Sequence, residues 1–292
     1  MSEERRLVGA GVRDVPHRPI AVVTGATSGI GAAFADALAS RGMNLVAIGR
    51  RGERLEQLAR RYAAIGNVSV RTIVADLADR TALKSVEDEI RRLAFVDTLV
   101  NCAGFGMFES FAASDPDQIE RQLFLDLIVP ARLAKAVVPG MIARRQGAII
   151  NVSSMAAFLP IPNFASYCAA KAGLTRLTEA LHGELAGTGV RVQALCPGPV
   201  PTEFFAISGY DLEDVPKPLL QSAEACVESS LRALESGKVV HVPKLTIRLF
   251  LAVLSLFSST TKAGILGRGT RWWTKKGDSS GSRSARLRRQ KT

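Results

Sequence analysis

Cysteine is scarce in this chain, and none of it is arranged for a metal. The four cysteines, Cys102, Cys168, Cys196 and Cys226, stand far apart and lack the CxxC or Cys/His spacings of a metal site. The first three lie in segments that read as element ends, so free thiols in a reducing, cytoplasmic setting are expected rather than disulfides. The first nineteen residues, MSEERRLVGAGVRDVPHRP, lack the apolar core of about 7–15 residues that a secretory signal needs, and read as a flexible arm. The apolar run LTIRLFLAVLSLF at 245–257 has thirteen residues and contains Arg248, too short for a spanning helix. No internal repeat and no Pro/Gly-rich linker divides the stretch between these ends, so a single domain is expected.

Acidic residues are few near the C-terminus. From Arg268 onward there are nine Lys or Arg against one Asp, a net +8 that leaves only +3 of the chain's +11 for everything before it. The basicity therefore belongs to the tail, and nucleic acid is not an expected partner. The hydrophobic content of 47% is ordinary for a globular protein with a substantial core.

Between residues 20 and about 245, short Val/Ile-rich runs alternate with longer helical patterns. The expected strands are Ile20–Thr24, Asn44–Ile48, Val68–Val74, Thr98–Val100, Ala148–Val152, Arg191–Leu195 and Val239–Val242. Most are continuously apolar rather than alternating, as in a parallel sheet covered on both faces. Helical patterns fall at Gly31–Ser40, Glu53–Ala64, Ala82–Leu93 and Ala169–Leu185. This rhythm predicts an α/β fold, a doubly wound, Rossmann-like parallel sheet, with ligands beyond the strands' carboxyl ends. The expected units are an arm at 1–19, the α/β domain at 20–243, and an apolar helix with a basic tail at 244–292.

Directly after the first strand comes TGATSGIG, Thr24 to Gly31. Gly25 permits a tight turn, while Gly29 and Gly31 let backbone approach a pyrophosphate and let the next helix pack on the sheet. Thr27, Ser28 and Ile30 fill the loop between them. The helix N-terminus then offers free N–H groups and a positive dipole end to phosphate. The second strand continues as NLVAIGRRGERL, with no acid at its end to hold a ribose 2′-hydroxyl. Arg50 and Arg51 stand there instead, suited to a 2′-phosphate, so NADP(H) is expected over NAD(H). Plain surface charge is the other reading of these two arginines.

Further on stand NCAG, NVSSMAAFLPIPNFASYCAAK and CPGPVPT. Tyr167 and Lys171 lie four apart at what reads as a helix start, so they share a face, and Ser154 stands thirteen residues upstream. With TGATSGIG in front, these motifs resemble the short-chain dehydrogenase/reductase family in its short, single-domain branch, over about residues 20–242. The glycine spacing TGxxxGxG differs from the epimerase-like branch, and three residues between Tyr and Lys differ from the six of the enoyl reductases.

The resemblance implies an NAD(P)-dependent oxidoreductase of CH–OH and C=O groups, homo-dimeric or tetrameric. Tyr167 would be the general acid or base, with Lys171 lowering its pKa and holding the nicotinamide ribose. Ser154 would bond the substrate oxygen. Asp76 and Leu77 match the adenine-side contact, Asn101, Ala103 and Gly104 the segment along the cofactor, and Pro197, Gly198, Val200 and Thr202 the segment over the nicotinamide. Cys102 replaces the family's second Asn.

The family's fourth catalytic residue, an Asn at a helix break, is Asp126 in LDLIVPARLAKAVVPGM. Asp is nearly isosteric and shares Asn's tendency to bond nearby backbone. Pro130 cannot donate an N–H to the carbonyl of residue 126, which leaves that oxygen free. Three readings stay open: a relay kept with a carboxylate, a tolerated change with slower turnover, or cofactor binding without activity. The last would make the chain a regulatory or scaffold protein.

No Lys or Arg occurs in GFGMF, MAAFLPIPNF or PTEFFAISGY, the stretches expected to face the substrate. An apolar ketone or aldehyde, or its alcohol, is the expected substrate, although core packing explains such stretches equally. The apolar helix, Trp272, Trp273 and the basic tail resemble an interfacial anchor to anionic lipid. Packing of that helix against the body or a second subunit is the competing expectation.

Overall fold

Runs of Val, Ile and Leu form seven strands: β1 (Ile20–Thr24), β2 (Asn44–Gly49), β3 (Val70–Val74), β4 (Val96–Asn101), β5 (Gly147–Val152), β6 (Val190–Leu195) and β7 (Val240–His241). They pair in parallel as one sheet, in the order β3-β2-β1-β4-β5-β6-β7. The computed structural model describes residues 18–268, apart from 67, 94, 211, 213 and 214. Residues 1–17 of the expected arm at 1–19, together with Trp272, Trp273 and the rest of the basic tail, lie outside the described residues.

Helices α1 (Gly29–Ser40), α2 (Gly52–Ile65), α3 (Arg80–Arg91), α4 (Pro116–Leu123), α5 (Val129–Arg144), α6 (Ala165–Glu184), α7 (Glu203–Ser208), α8 (Ala223–Glu235) and α9 (Leu245–Ser255) connect and flank the strands. Residues 259–268 are helical as well. One face of the sheet is covered by Phe34 and Leu38 of α1, Leu55 of α2 and Leu231 of α8. Leu83 of α3 and Leu133 and Met141 of α5 cover the other. Every residue of β5 is buried, as in a strand covered on both faces, and its one polar side chain, Asn151, is bonded to Asn101 and Thr178.

Parallel strands require crossovers that all return the chain to the same edge. The ends of β1, β4, β5 and β6 therefore meet along one side, where the strand order reverses between β1 and β4.

Several boundaries differ from those the pattern suggested. Helix α6 starts at Ala165 rather than Ala169, because the Phe164 carbonyl already accepts from the Cys168 N–H. Strand β3 begins at Val70 rather than Val68, and β7 is two residues long because only Ala194 and Leu195 of β6 pair with it.

Helix α9 lies partly on the body. Ile247 is fully buried beside Gly198 and Leu254 is buried too, while Leu245, Leu249 and Val253 face outward at 58–59% exposure. Among the described residues, no helix is long and apolar enough to cross a membrane.

Phe34 is fully buried in the α1 face of the core. Phe34→Ala is expected to cost about 3–5 kcal/mol in denaturant unfolding; a loss below about 1 kcal/mol would contradict this packing.

Candidate active site

The turn off β1 and the start of α1 come unusually close. A Cβ at Gly31 would stand 2.3 Å from the Gly25 carbonyl oxygen, and one at Gly29, where φ is +55°, would stand 2.8 Å from Thr202 Cγ2. Side chains at either position would push the helix away from the turn. Ser28 precedes α1 without capping it through its side chain, so the first N–H groups of the helix stay available to an anion.

Beside this loop, Arg51 donates to Thr27 Oγ1 (3.0 Å) and Ser28 Oγ (2.9 Å). Its other amino group reaches Glu203 Oε2 at 2.5 Å, and Arg54 reaches Glu203 Oε1 at 2.6 Å. Arg50 is exposed and lines the same opening. Asp76 accepts from the Ala78 N–H and pairs with Arg121.

The sequence-predicted residues largely converge on a cavity of about 510 Å³. Gly31 and Asn101 do not line it. Gly31 lies behind the loop it shapes, and the Asn101 side chain turns into the core, donating to Asn151 Oδ1 (2.8 Å) and bonding the Pro130 carbonyl (3.4 Å). Asn101 thus joins β4 to β5 and to the start of α5 rather than reaching a ligand.

Ser154, Tyr167 and Lys171 all line the cavity. Ser154 stands at the end of β5, its Oγ accepting from the Ala156 N–H at 3.1 Å. Tyr167 lies in the first turn of α6, against Phe164 (4.5 Å between ring centroids) and Phe204 (5.5 Å). Lys171, one turn on, donates to the Val152 carbonyl at 3.1 Å and lies 5.5 Å from the Tyr167 ring centroid. Asp126 does not reach the cavity. It is fully buried behind Gly104, in a π-helical turn at Phe124–Ile128. Its Oδ1 accepts from the Phe105 N–H (3.2 Å), and its Oδ2 stands 3.7 Å from Lys171 Nζ. The expected helix break therefore falls on this residue, and Pro130 follows at the start of α5.

The family model described as short chain dehydrogenase matches residues 19–211. The chain belongs to the short-chain dehydrogenase/reductase family. It is an NAD(P)-dependent oxidoreductase of CH–OH and C=O groups. A very-long-chain 3-oxoacyl-CoA reductase of Mus musculus is 32% identical over 232 residues, covering 76% of this chain and 72% of that one. A short-chain dehydrogenase from Sphingobium yanoikuyae, solved in complex with NADPH, superimposes with a TM-score of 0.76 at 32% identity, over 81% of this chain and 92% of that one. The bulky-bulky ketone specific alcohol dehydrogenase from Comamonas testosteroni gives a TM-score of 0.71 at 30% identity, over 82% and 94%.

In the chain itself the Tyr167 phenol is pushed above its ordinary value, first by burial and then by the Asp126 carboxylate. A hydrogen bond with Ser154 works the other way. Burial also pushes the Asp126 carboxyl up to about 6, against the opposing pull of Lys171 and the Phe105 N–H. Lys171 thus faces the Asp126 carboxylate, 3.7 Å from its Nζ, as well as the Tyr167 ring.

Sequence reading missed Arg54 and Glu203. Arg54 follows Arg51 by three residues at the start of a helix, a spacing that carries a usable signal. Nothing local marks Glu203 as their partner. Phe250, Ile265 and Leu266 also line the cavity, so the C-terminal segment closes part of the substrate side.

Asp126→Asn removes the negative charge that raises the Tyr167 pKa. The rising limb of kcat/KM for alcohol oxidation, which follows deprotonation of the phenol, is expected to move about one unit lower in pH. An unmoved limb in the pH–rate profile would show that the carboxylate's charge is not felt at Tyr167.

Proposed function

We propose that the chain is an NADP(H)-dependent reductase of apolar ketones or aldehydes, running in reverse on their alcohols. The observation that carries the substrate class is the aromatic wall around the reactive hydroxyl. Phe108, Phe164, Phe204, Phe205 and Tyr210 form a chain of ring contacts, with centroids 4.5–5.9 Å apart, that includes Tyr167. Such a wall favours bulky apolar groups over small charged ones. The neighbour named for bulky-bulky ketones and the relative named for very-long-chain 3-oxoacyl groups point the same way.

The residues present fit the cofactor. The loop has glycines where a Cβ would collide, as a backbone cradle for pyrophosphate requires. The Glu203 carboxylate on Arg51 and Arg54 marks a place where two guanidinium groups receive an anion. The 2′-phosphate of NADP(H) is assigned to that pair together with Arg50. The remaining cofactor residues of this reading are Gly25, Thr27, Ser28, Gly29 and Ile30 on the phosphate side, Asp76 and Leu77 near adenine, and Ala103, Gly104, Pro197, Gly198, Val200 and Thr202 along the nicotinamide half. When bound, the cofactor supplies the hydride. Tyr167 delivers a proton to the carbonyl oxygen or withdraws it from the alcohol, and Ser154 Oγ hydrogen-bonds that oxygen as charge develops. Lys171 holds ribose and stabilises the phenolate. Asp126 fixes the backbone at Phe105 and neutralises part of the lysine's charge.

Burial and the Asp126 carboxylate hold the Tyr167 phenol protonated, the state in which it can give a proton to a carbonyl oxygen. The alternative is a cofactor-binding regulatory or scaffold protein with catalysis weakened by Asp126 in place of Asn. A panel of bulky ketones assayed by NADPH absorbance separates the two. Tyr167→Phe is expected to lower kcat about 10²–10⁴-fold with cofactor still bound. No Tyr167-dependent turnover on any member of the panel would favour the alternative.

Residues Leu245, Leu249 and Val253 are spaced by one helical turn and face outward, and the strongly basic segment follows them in the chain. This supports peripheral attachment to an anionic, cytoplasmic membrane face, with homo-oligomer formation as the competing use of the same surface. The full chain is expected to float with phosphatidylserine vesicles and not with neutral ones, and deletion from residue 269 to reduce flotation. Protein that stays at the bottom with both vesicle types would rule the attachment out.

A further inference from the structure

The ion pairs around Glu203 join two parts of the molecule that serve different ligands. Arg51 and Arg54 belong to the phosphate side, at the entry and first turn of α2. Glu203 is the first residue of α7, whose Phe204, Phe205 and Ile207 line the substrate side of the cavity. One carboxylate oxygen goes to each guanidinium, so both acceptors are engaged by the phosphate-side arginines.

We infer that Glu203 competes internally with the cofactor's 2′-phosphate for Arg51 and Arg54, and that exchange of carboxylate for phosphate releases the start of α7 over the substrate cavity. This rests on the NADP(H) reading above.

Three observations carry it. First, the guanidinium groups are positioned independently of Glu203. Arg51 is held by Thr27 Oγ1 and Ser28 Oγ, and Arg54 bonds the Thr27 carbonyl at 3.4 Å, so both would remain at the loop if the carboxylate left. Second, the charges do not balance. Two cations face one monoanion, and a phosphate with nearly two negative charges and three acceptor oxygens suits the pair better. Third, the pairs are exchangeable. The side chains are 39–44% exposed, where ion pairs contribute little and solvent competes.

The far end of α7 is tied separately, because the Ser208 carbonyl accepts from the Phe108 N–H at 2.9 Å. Loss of the Glu203 contacts therefore frees one end of a short helix rather than the whole segment. Phe204 lies against Tyr167, so a shift of that end changes the wall beside the reactive hydroxyl. A cofactor without the 2′-phosphate gives no such exchange. Preference for NADP(H) and the setting of the substrate wall would then share one residue.

Adenosine 2′,5′-bisphosphate and 5′-AMP differ at the 2′-phosphate and need no turnover to be read. Calorimetry on the intact chain is expected to show the bisphosphate binding at least about tenfold tighter. Glu203→Gln should tighten the bisphosphate by about fivefold and leave 5′-AMP within about twofold. Hydrogen exchange at residues 203–208 of the unmodified chain should quicken with the bisphosphate and not with 5′-AMP. Unchanged exchange, or a bisphosphate affinity indifferent to Glu203→Gln, overturns the inference. If the unmodified chain makes no distinction between the two nucleotides, or Arg51→Ala weakens both equally, the NADP(H) reading itself has failed. A clear preference for the bisphosphate with a silent Glu203→Gln overturns the exchange alone.

Discussion

The close approach of α1 to the turn off β1 is the constraint on which the rest of the site depends. No side chain fits at Gly31, because its Cβ would collide with the Gly25 carbonyl. Without that side chain the helix starts immediately beyond the strand, and its free N–H groups face the space over the sheet edge. Thr27 and Ser28 are thereby placed where Arg51 can bond both. Gly29 leaves room for Thr202, which brings the segment after β6 down onto the loop. These two close approaches bring the turn off β1, the start of α1 and the segment after β6 together.

A second contact sets the charge around the site. Lys171 faces both the Tyr167 ring and the Asp126 carboxylate, with Nζ 5.5 Å from the ring centroid and 3.7 Å from Oδ2. Burial raises both acids, so the chain by itself holds Tyr167 protonated. The π-helical turn matters here because it places Asp126 behind Gly104 rather than in the cavity. The carboxylate therefore acts through charge and through the Phe105 backbone, and takes up no room that a substrate would need.

The aromatic wall and the C-terminal segment shape what can enter. Phe204 and Phe205 arrive from α7 and Phe164 from the start of α6, while Phe250 and Ile265 come from the segment beyond β7. The segment after β7 thus does two things, closing the cavity with one face and presenting Leu245, Leu249 and Val253 outward with the other.

Fold class, strand order of appearance and the grouping of Ser154, Tyr167 and Lys171 at one cavity were legible in the chain because each rests on short-range patterns. Continuous Val/Ile runs mark buried parallel strands, and the Tyr167–Lys171 spacing is one helical turn. Glycine spacing reports a turn that only glycine can make. Asp126 was legible as a departure because LDLIVP aligns without a gap, and its burial follows from that place. What the sequence could not decide is where long side chains end. Arg51 meets Glu203 across 152 residues, Asn101 turns inward to Asn151, and Asp126 meets Lys171 behind a loop. These pairings depend on the packing of separate crossovers at one sheet edge, which no local pattern encodes. The sequence determined which elements form and which chemistry they carry; tertiary packing decided which charges touch, because an ion pair needs two side chains brought within a few ångströms from distant parts of the chain.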